Sequence, residues 1–528
     1  MNTMQPYRLF FLLTSLLNLN SVLANDTFPK VLARERSSIE QAENRLEKAI
    51  ANPEYMVKNW IQLPSSPSEK NNKTQFLTLR NAILLALRYN PNIRNAELDR
   101  IIQRYQLRLA NNEFELQYAL AGTTSFDNNR YTGIGKTSHN NFMLTPEINL
   151  KTPLGGQTTI RMDNNVVTEG NYNRFINLSF KQPLLNGFGY DINQINLKNA
   201  IDHEWLNKLN LQQAVIDHIT QLITIYRTLI LSGNNLQNQR QQLNEARKLF
   251  KINQQRIKAG QLEPTANVQQ SYQIESLSLM VEQAENDFQT TSQELMQSIG
   301  LDPDMKLAVP SDVELKQVFI PNTAECIEQA LLHNTQYQAL TLATRANKRA
   351  YILAKNQQLW QLDANAVIQT GMTTHLNPSY RTNDLQNNRS INESAGLTLR
   401  IPINDLNLRN QLITAKVQLE KDRLNLIAAK RALISRVKNI ISNIASQAKR
   451  YELAKRQVEL AAKSYALEKK KQQAGISSAL DVNNTQNQLL QAQMGLIHAK
   501  IAYLNQLSAL QQLLGTTLDH WKIKLRYH

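Results

Sequence analysis

The sequence predicts a mainly α-helical protein with a small β part, in which one long-helix architecture is built twice. Three observations carry this. First, Ala259-Gly260 is followed 40 residues later by Ile299-Gly300, and Ala474-Gly475 is followed 40 residues later by Leu514-Gly515, with one offset throughout (475 − 260 = 515 − 300 = 215). A repeated span of that length signals one unit used twice. Second, the chain has only 16 Gly and 15 Pro in 528 residues, which favours long helices and few turns. Third, apolar residues recur at helical spacing over long stretches and switch to a period of two in two places.

The chain divides into 1–24, 25–77, a first repeat over 78–321 and a second over 322–528. Residues 1–24 read as an export signal. Arg8 is the charged start, Leu9 to Leu17 the apolar run, and Val22-Leu23-Ala24 the small or apolar residues before a cut after Ala24. A buried helix is the other reading of such a stretch. Residues 25–77 have no counterpart in the second half; 33–51 could form an exposed helix, and Pro64-Ser65-Ser66-Pro67-Ser68 reads as a linker.

The first repeat opens at Leu79. Ala82, Ile83, Ala86 and Leu87 form a short amphipathic helix stopped at Asn90-Pro91, and Cys326, Ile327, Ala330, Leu331 and Asn334 repeat it (334 − 90 = 244). Helices near 92–114 and 336–361 follow. Then the period falls to two. Leu116, Tyr118 and Leu120 alternate with polar or small residues, as do Ile176, Leu178 and Phe180 before Pro183, and Leu397, Leu399 and Ile401 before Pro402. These predict strands with one apolar face, about 115–183 in the first repeat and 364–402 in the second. Asn90 to Pro183 spans 93 residues but Asn334 to Pro402 only 68, so the first half carries 25 more. An added hairpin accounts for them, with Ile148/Leu150 and Ile160/Met162 flanking a turn at Gly155-Gly156.

Helical spacing then returns. Val215, Ile219, Leu222, Tyr226 and Leu229 form one seam, and Ile216, Ile223 and Ile230 a second beside it. Two adjacent seams call for neighbours on both sides, as in a closed ring of helices; a dimeric coiled coil would need one. Long helical hairpins are expected over 190–300 and 405–515, turning at Gly260 and Gly475.

Composition excludes several classes. No stretch after residue 24 has 18 uncharged apolar residues, so a membrane crossing would have to be a closed β-barrel. The lone Cys326 excludes an intramolecular disulfide and reads as a small core residue rather than a reactive thiol. The net charge of +16 would suit nucleic acid or an anionic membrane surface, but the basic residues are dispersed and runs such as Lys469-Lys470-Lys471 lack interleaved aromatics, against nucleic-acid binding. Gly135-Lys136-Thr137 lacks the earlier Gly of a phosphate loop, that position being Arg130. Gly187-Phe188-Gly189 lacks the third Gly of a nucleotide fingerprint. Eight scattered His residues and one Cys give no metal spacing. No catalytic residue, metal or cofactor is expected.

In its order of motifs the chain resembles the TolC-like outer membrane efflux protein (outer membrane factor) family over about 78–518. The motifs are Ala86-Leu87 with Asn90-Pro91, the strand end Lys181-Gln182-Pro183-Leu184-Leu185-Asn186-Gly187-Phe188-Gly189, the hairpin Ala474-Gly475-Ile476-Ser477-Ser478-Ala479-Leu480-Asp481-Val482, and Leu514-Gly515-Thr516. The resemblance implies a homotrimer with one shared transmembrane β-barrel in the outer membrane lipid and one periplasmic α-barrel. It usually means four strands per copy, a number the 25 extra residues call into question. Gly260, Gln261, Gly475, Ile476 and Ser477 would be the tips that dock a periplasmic adaptor (membrane fusion) protein of an inner membrane transporter. Asp481 would help form the periplasmic constriction, with Asn484 where some members carry a second acid; the alternative for Asp481 is a solvated acid favoured by its helix N-terminus. Ser477 stands where a tip Arg can occur, and Ala266 is the first tip's equivalent of Asp481. The implied function is the outer membrane exit duct of a tripartite efflux system. The alternatives are the duct of a type I protein secretion system and, in another class, a non-porous periplasmic coiled-coil scaffold.

Overall fold

The computed structural model describes residues 61–62, 77–131, 135–167, 171–260, 263, 265–305, 309–313, 315, 317–375, 389–474 and 476–525. The expected export signal, the 33–51 helix and the 64–68 linker lie outside these residues.

Each half begins with the same joint. Helix α1 (Leu79–Tyr89) meets α2 (Pro91–Asn112) at Asn90, and in the second half α6 (Thr323–His333) meets α7 (Thr335–Asn356) at Asn334. Both Asn residues hold extended backbone and cap the next helix: the Asn90 Oδ1 accepts from Asn92 N at 2.8 Å, and that of Asn334 from Tyr337 N at 3.0 Å. Their Nδ2 atoms donate to Ser298 O (2.7 Å) and Leu513 O (3.2 Å). Those acceptors are themselves repeat equivalents (513 − 298 = 215), so the two offsets meet in one duplicated contact.

The long helices are α4 (Ile195–Lys258), which follows the one-turn α3 (Tyr190–Asn193), then α5 (Thr265–Ile299), α8 (Leu406–Gln473) and α9 (Ala479–Leu514). At 1.5 Å per residue α4 and α8 each run about 100 Å. Helix α4 pairs with α5 and α8 with α9. Both seams expected on α4 are buried: Ile216, Ile219, Leu222 and Ile223 join Leu295, Met296 and Ile299 of α5 and Ile83 and Leu87 of α1 in one core. Cys326, Val437, Ile444, Tyr503 and Leu510 form the corresponding second core. One stretch of α4 is long and apolar enough to cross a membrane, but half of it is buried inside the chain, as a helix with two packed seams requires.

The arms end alike. Gly300 and Gly515 both take left-handed backbone, φ +88° and +71°. A Cβ on Gly300 would collide with the Tyr89 carbonyl oxygen, whereas one on Gly515 would sit 3.4 Å from that of His333. Past Gly515 the chain crosses to the other half. Leu518, just inside the short α10 (Thr517–His520), and Ile523 pack into the first core. Strand β8 (Lys524–Leu525) pairs with β1 (Ile61–Gln62). Buried Arg227 of α4 donates to Asn505 Oδ1 and Ser508 Oγ of α9, both at 2.9 Å, which ties the hairpins together.

One antiparallel sheet holds β2 (Gln117–Tyr131), β3 (Gly135–Lys151), β4 (Gln157–Val167), β5 (Asn171–Pro183), β6 (Gln361–His375) and β7 (Arg389–Arg400), in chain order. The added hairpin is present as β3 and β4: Ile148 lies opposite Ile160, and Thr152 N donates to Gly156 O at 2.7 Å across the turn. Among the described residues the first half therefore supplies four strands to this sheet and the second two. The fold class expected from the sequence, long duplicated helices with a small β part, is the one observed.

Candidate functional site

Two places stand out in the fold: the sheet at one end of the long helices and the helical tips at the other. The sheet has two chemically different faces, because side chains alternate along each strand. Tyr118 lies opposite Ile148, Ile148 opposite Ile160, Ile160 opposite Leu178, and Leu178 opposite Ile368. This face is apolar yet exposed; Tyr118, Leu120, Phe126, Phe142 and Leu397 are each more than half exposed. The other face is mostly polar, as in the row Gln117, Asn149, Thr159, Ser179. Strands of 11–17 residues meet or exceed the roughly 9–11 that a membrane requires. At the helical end of the polar face, Lys181 Nζ lies 2.9 Å from the buried Asp363 carboxylate, which also accepts from Gln361 Nε2 at 2.8 Å. They line a cleft of about 320 Å³ with Lys151, Gly187 and Asn193. Sequence reading missed this group because its members come from three separate strands.

At the second tip, Ser478 caps α9. Its Oγ accepts from Asp481 N at 3.2 Å, while Asp481 Oδ2 accepts from Ser478 N (3.2 Å) and Oγ (2.6 Å), a complete capping box. Those hydrogen bonds from Ser478 hold the Asp481 carboxyl below its usual range. Asp481 and Asn484 are exposed, and Lys471 and Glu468 of α8 lie near enough to interact with the Asp481 charge. Ser477 Oγ donates to Glu468 Oε1 at 2.5 Å, and Lys471 Nζ lies 3.3 Å from Glu468 Oε2. These two hydrogen bonds, Ser477 first, lower the Glu468 carboxyl. Ile476 projects from the turn, 78% exposed. Gly260 at the first tip is exposed with φ +69°. Gln261, Gly475 and the side chain of Ala266 lie outside what the structure describes.

Nearer the sheet, α2 carries two buried charges. Arg100 forms a two-pronged ion pair with Glu204 of α4. Burial alone would raise the Glu204 carboxyl, but the hydrogen bonds and charge of Arg100 outweigh it and hold it low. Glu97, 2% exposed, has a buried Oε2 without a partner. Burial pushes its pKa up to about 7, against the opposing pull of Arg94. Among the described residues no cluster of His, Cys, Asp and Glu could hold a metal.

Residues 326–516 match the family model described as "Outer membrane efflux protein". A comparison with curated protein sequences finds no match. Solved structures share the fold. The outer membrane protein VceC of Vibrio cholerae is 15% identical with a TM-score of 0.61, over 84% of this chain and 97% of that one. The Campylobacter jejuni CmeC outer membrane channel is 13% identical with a TM-score of 0.62, over 86% and 94%. The Neisseria gonorrhoeae MtrE outer membrane channel, solved in its open state, is 15% identical with a TM-score of 0.61, over 87% and 98%.

Proposed function

We propose that this chain, an outer membrane efflux protein by its residues 326–516 and by its fold, is the passive exit duct of a tripartite efflux system. Its place is the outer membrane, with a large periplasmic helical part, and its role is transport rather than catalysis. One observation carries the duct: a sheet with one exposed apolar and one polar face stands at the end of about 100 Å of paired helices. Lipid would cover the apolar face, and the polar face would line water.

Three copies complete the reading. Apolar residues at heptad spacing stay exposed on both hairpins, Tyr272 and Leu279 on α5 and Leu453, Leu460 and Leu467 on α8. A neighbouring copy would bury them, closing a ring of helices. The tips around Gly260, Gln261, Gly475, Ile476 and Ser477 would dock the periplasmic adaptor of an inner membrane transporter. Exposed Ile476 would supply an apolar contact there. Asp481 would stand in the ring at the constriction, where three carboxylates repel one another and favour cations.

The test is bilayer conductance of the purified oligomer. Asp481→Asn keeps a helix-capping side chain but removes the charge, and should weaken cation preference. Ser478→Ala removes the cap and leaves the charge, and should not. Equal effects would assign Asp481 to capping alone, and a folded oligomer that never conducts would refute the duct.

A further inference from the structure

Among the described residues the sheet has two free edges, β2 and β7, and a free edge invites pairing. Because six is even, β2 and β7 run in opposite directions, so the β7 of one copy can add to the β2 of the next in the antiparallel sense. We infer that the edges of neighbouring copies pair in this way and close a barrel of three times six, eighteen, strands, about as wide as the ring of long helices. This rests on the threefold assembly proposed above.

Two observations put all six strands in the wall. The extra strands β3 and β4 are paired on both sides, with β2 opposing β3 from Gln117 to Tyr131 and β5 opposing β4 from Asn171 to Lys181. They also carry the apolar face without a break, through Phe142, Leu144 and Ile148 on β3 and Ile160 and Met162 on β4. A hairpin folded into the lumen as a plug would need neither feature.

The apolar band also records the tilt. On β2 it runs from Tyr118 to Phe126, centred on Gly122. Pairing carries Gly122 across through Leu144, Asn164, Arg174 and Met372 to Arg389. Yet on β7 the band runs from Ile391 to Leu399, centred on Ala395, six residues further along (395 − 389 = 6). Six residues at about 3.4 Å, over five strand spacings of about 4.8 Å, give a slope of roughly 40°. That is the tilt membrane barrels adopt. Glu393 is the one acid of the apolar face among the described residues, and it lies on the edge strand, beside which the β2 of a neighbouring copy would run.

The tilt sets the width. Eighteen strands about 4.8 Å apart and tilted by roughly 40° make a circumference of about 113 Å, a diameter near 36 Å; twelve would give about 24 Å. Four helices from each of three copies, α2, α4, α7 and α8 where they meet the sheet, spaced about 8–10 Å, make a ring about 31–38 Å across. The eighteen-stranded barrel continues that ring without narrowing. Allowing about 5 Å of side chain on each wall, the bore is near 26 Å, against about 14 Å for twelve strands. A helical peptide about 10–12 Å across would pass with room to spare, so the barrel does not sieve cargo and any sieving falls to the tips.

The experiment joins cross-linking to polymer exclusion, with the full chain in its native oligomer. In a Cys326→Ala background, Tyr118→Cys and Leu120→Cys on β2 are each combined with Leu397→Cys and Leu399→Cys on β7, since facing Cβ atoms lie about 4.5–5.5 Å apart. Oxidation should give covalent trimers for at least one pair. With the wild-type protein, neutral polymers about 20 Å across, added from the barrel side, should enter and lower the conductance. An intact trimer in which no pair links, or which excludes polymers above about 14 Å, overturns the eighteen-stranded barrel and leaves the duct standing. A monomer in detergent that never conducts overturns both.

Discussion

Replacing Glu97 with Gln should stabilise the protein at high pH and do far less at low pH. The carboxyl is buried, one oxygen lacks a partner, and its pKa stands at about 7 against an ordinary 4.5. A raised carboxyl is one the fold prefers protonated. It therefore costs nothing well below pH 4.5, costs progressively more between 4.5 and 7, and reaches a constant penalty above 7. At 1.36 kcal/mol per unit the full penalty is on the order of 3 kcal/mol, of which less than about 1 kcal/mol is felt at pH 5. Gln resembles the protonated acid at every pH. Glu97→Gln should thus gain about 2–3 kcal/mol more at pH 8 than at pH 5, read as the gap between variant and wild-type thermal unfolding in detergent at pH 5, 6 and 8. The neighbouring charges are Arg94, which favours the ionised form, and Arg100, engaged with Glu204. A gap independent of pH would refute the argument, because it would mean that Glu97 ionises in the fold as freely as in the unfolded chain.

Gly300→Ala should cost more than Gly515→Ala by at least about 1 kcal/mol; both must hold a left-handed Ala, but only the first drives a Cβ into the Tyr89 carbonyl. Equal losses in thermal unfolding would contradict the close approach. Arg100→Met strands a partly buried Glu204 and should cost about 3 kcal/mol, most of it recovered in the double variant with Glu204→Leu; a double variant no more stable than the single would show that the pair's role is not electrostatic. Ile523→Ala should cost about 2–4 kcal/mol through the first core, 4% exposed as the side chain is. An unchanged melting temperature would mean that the tail does not close that core.

Much of the architecture was legible because long helices and alternating strands are local, periodic objects. The seams of α4, Val215 to Leu229 and Ile216 to Ile230, were readable since a residue's place on a helix depends only on the count along the chain. The turns at Gly260, Gly300 and Gly515 were readable because left-handed backbone selects glycine. The extra hairpin was found by subtraction, 93 residues against 68, and its turn by Gly155-Gly156. Other features left no local trace. Nothing near Glu97 in sequence marks it as buried, since its surroundings belong to the packing of α2 on α4. The pairing of Lys181 with Asp363 and the path of the tail into the first core join residues far apart in the chain.

Asp481 shows the division at one residue. Its place six residues past Gly475 was visible in the sequence, and so was the Ser478 that makes it a cap. Whether it also stands in a ring depends on the neighbouring copies of the proposed assembly, which no local pattern encodes. By itself the sequence determined the periods, the breaks and the duplication, because backbone sterics and side-chain alternation act between neighbours. The tertiary structure alone decided which charges lose water, which carbonyl meets which glycine, and how the six strands step across the sheet. Those depend on distances between segments, and distance along the chain says little about them.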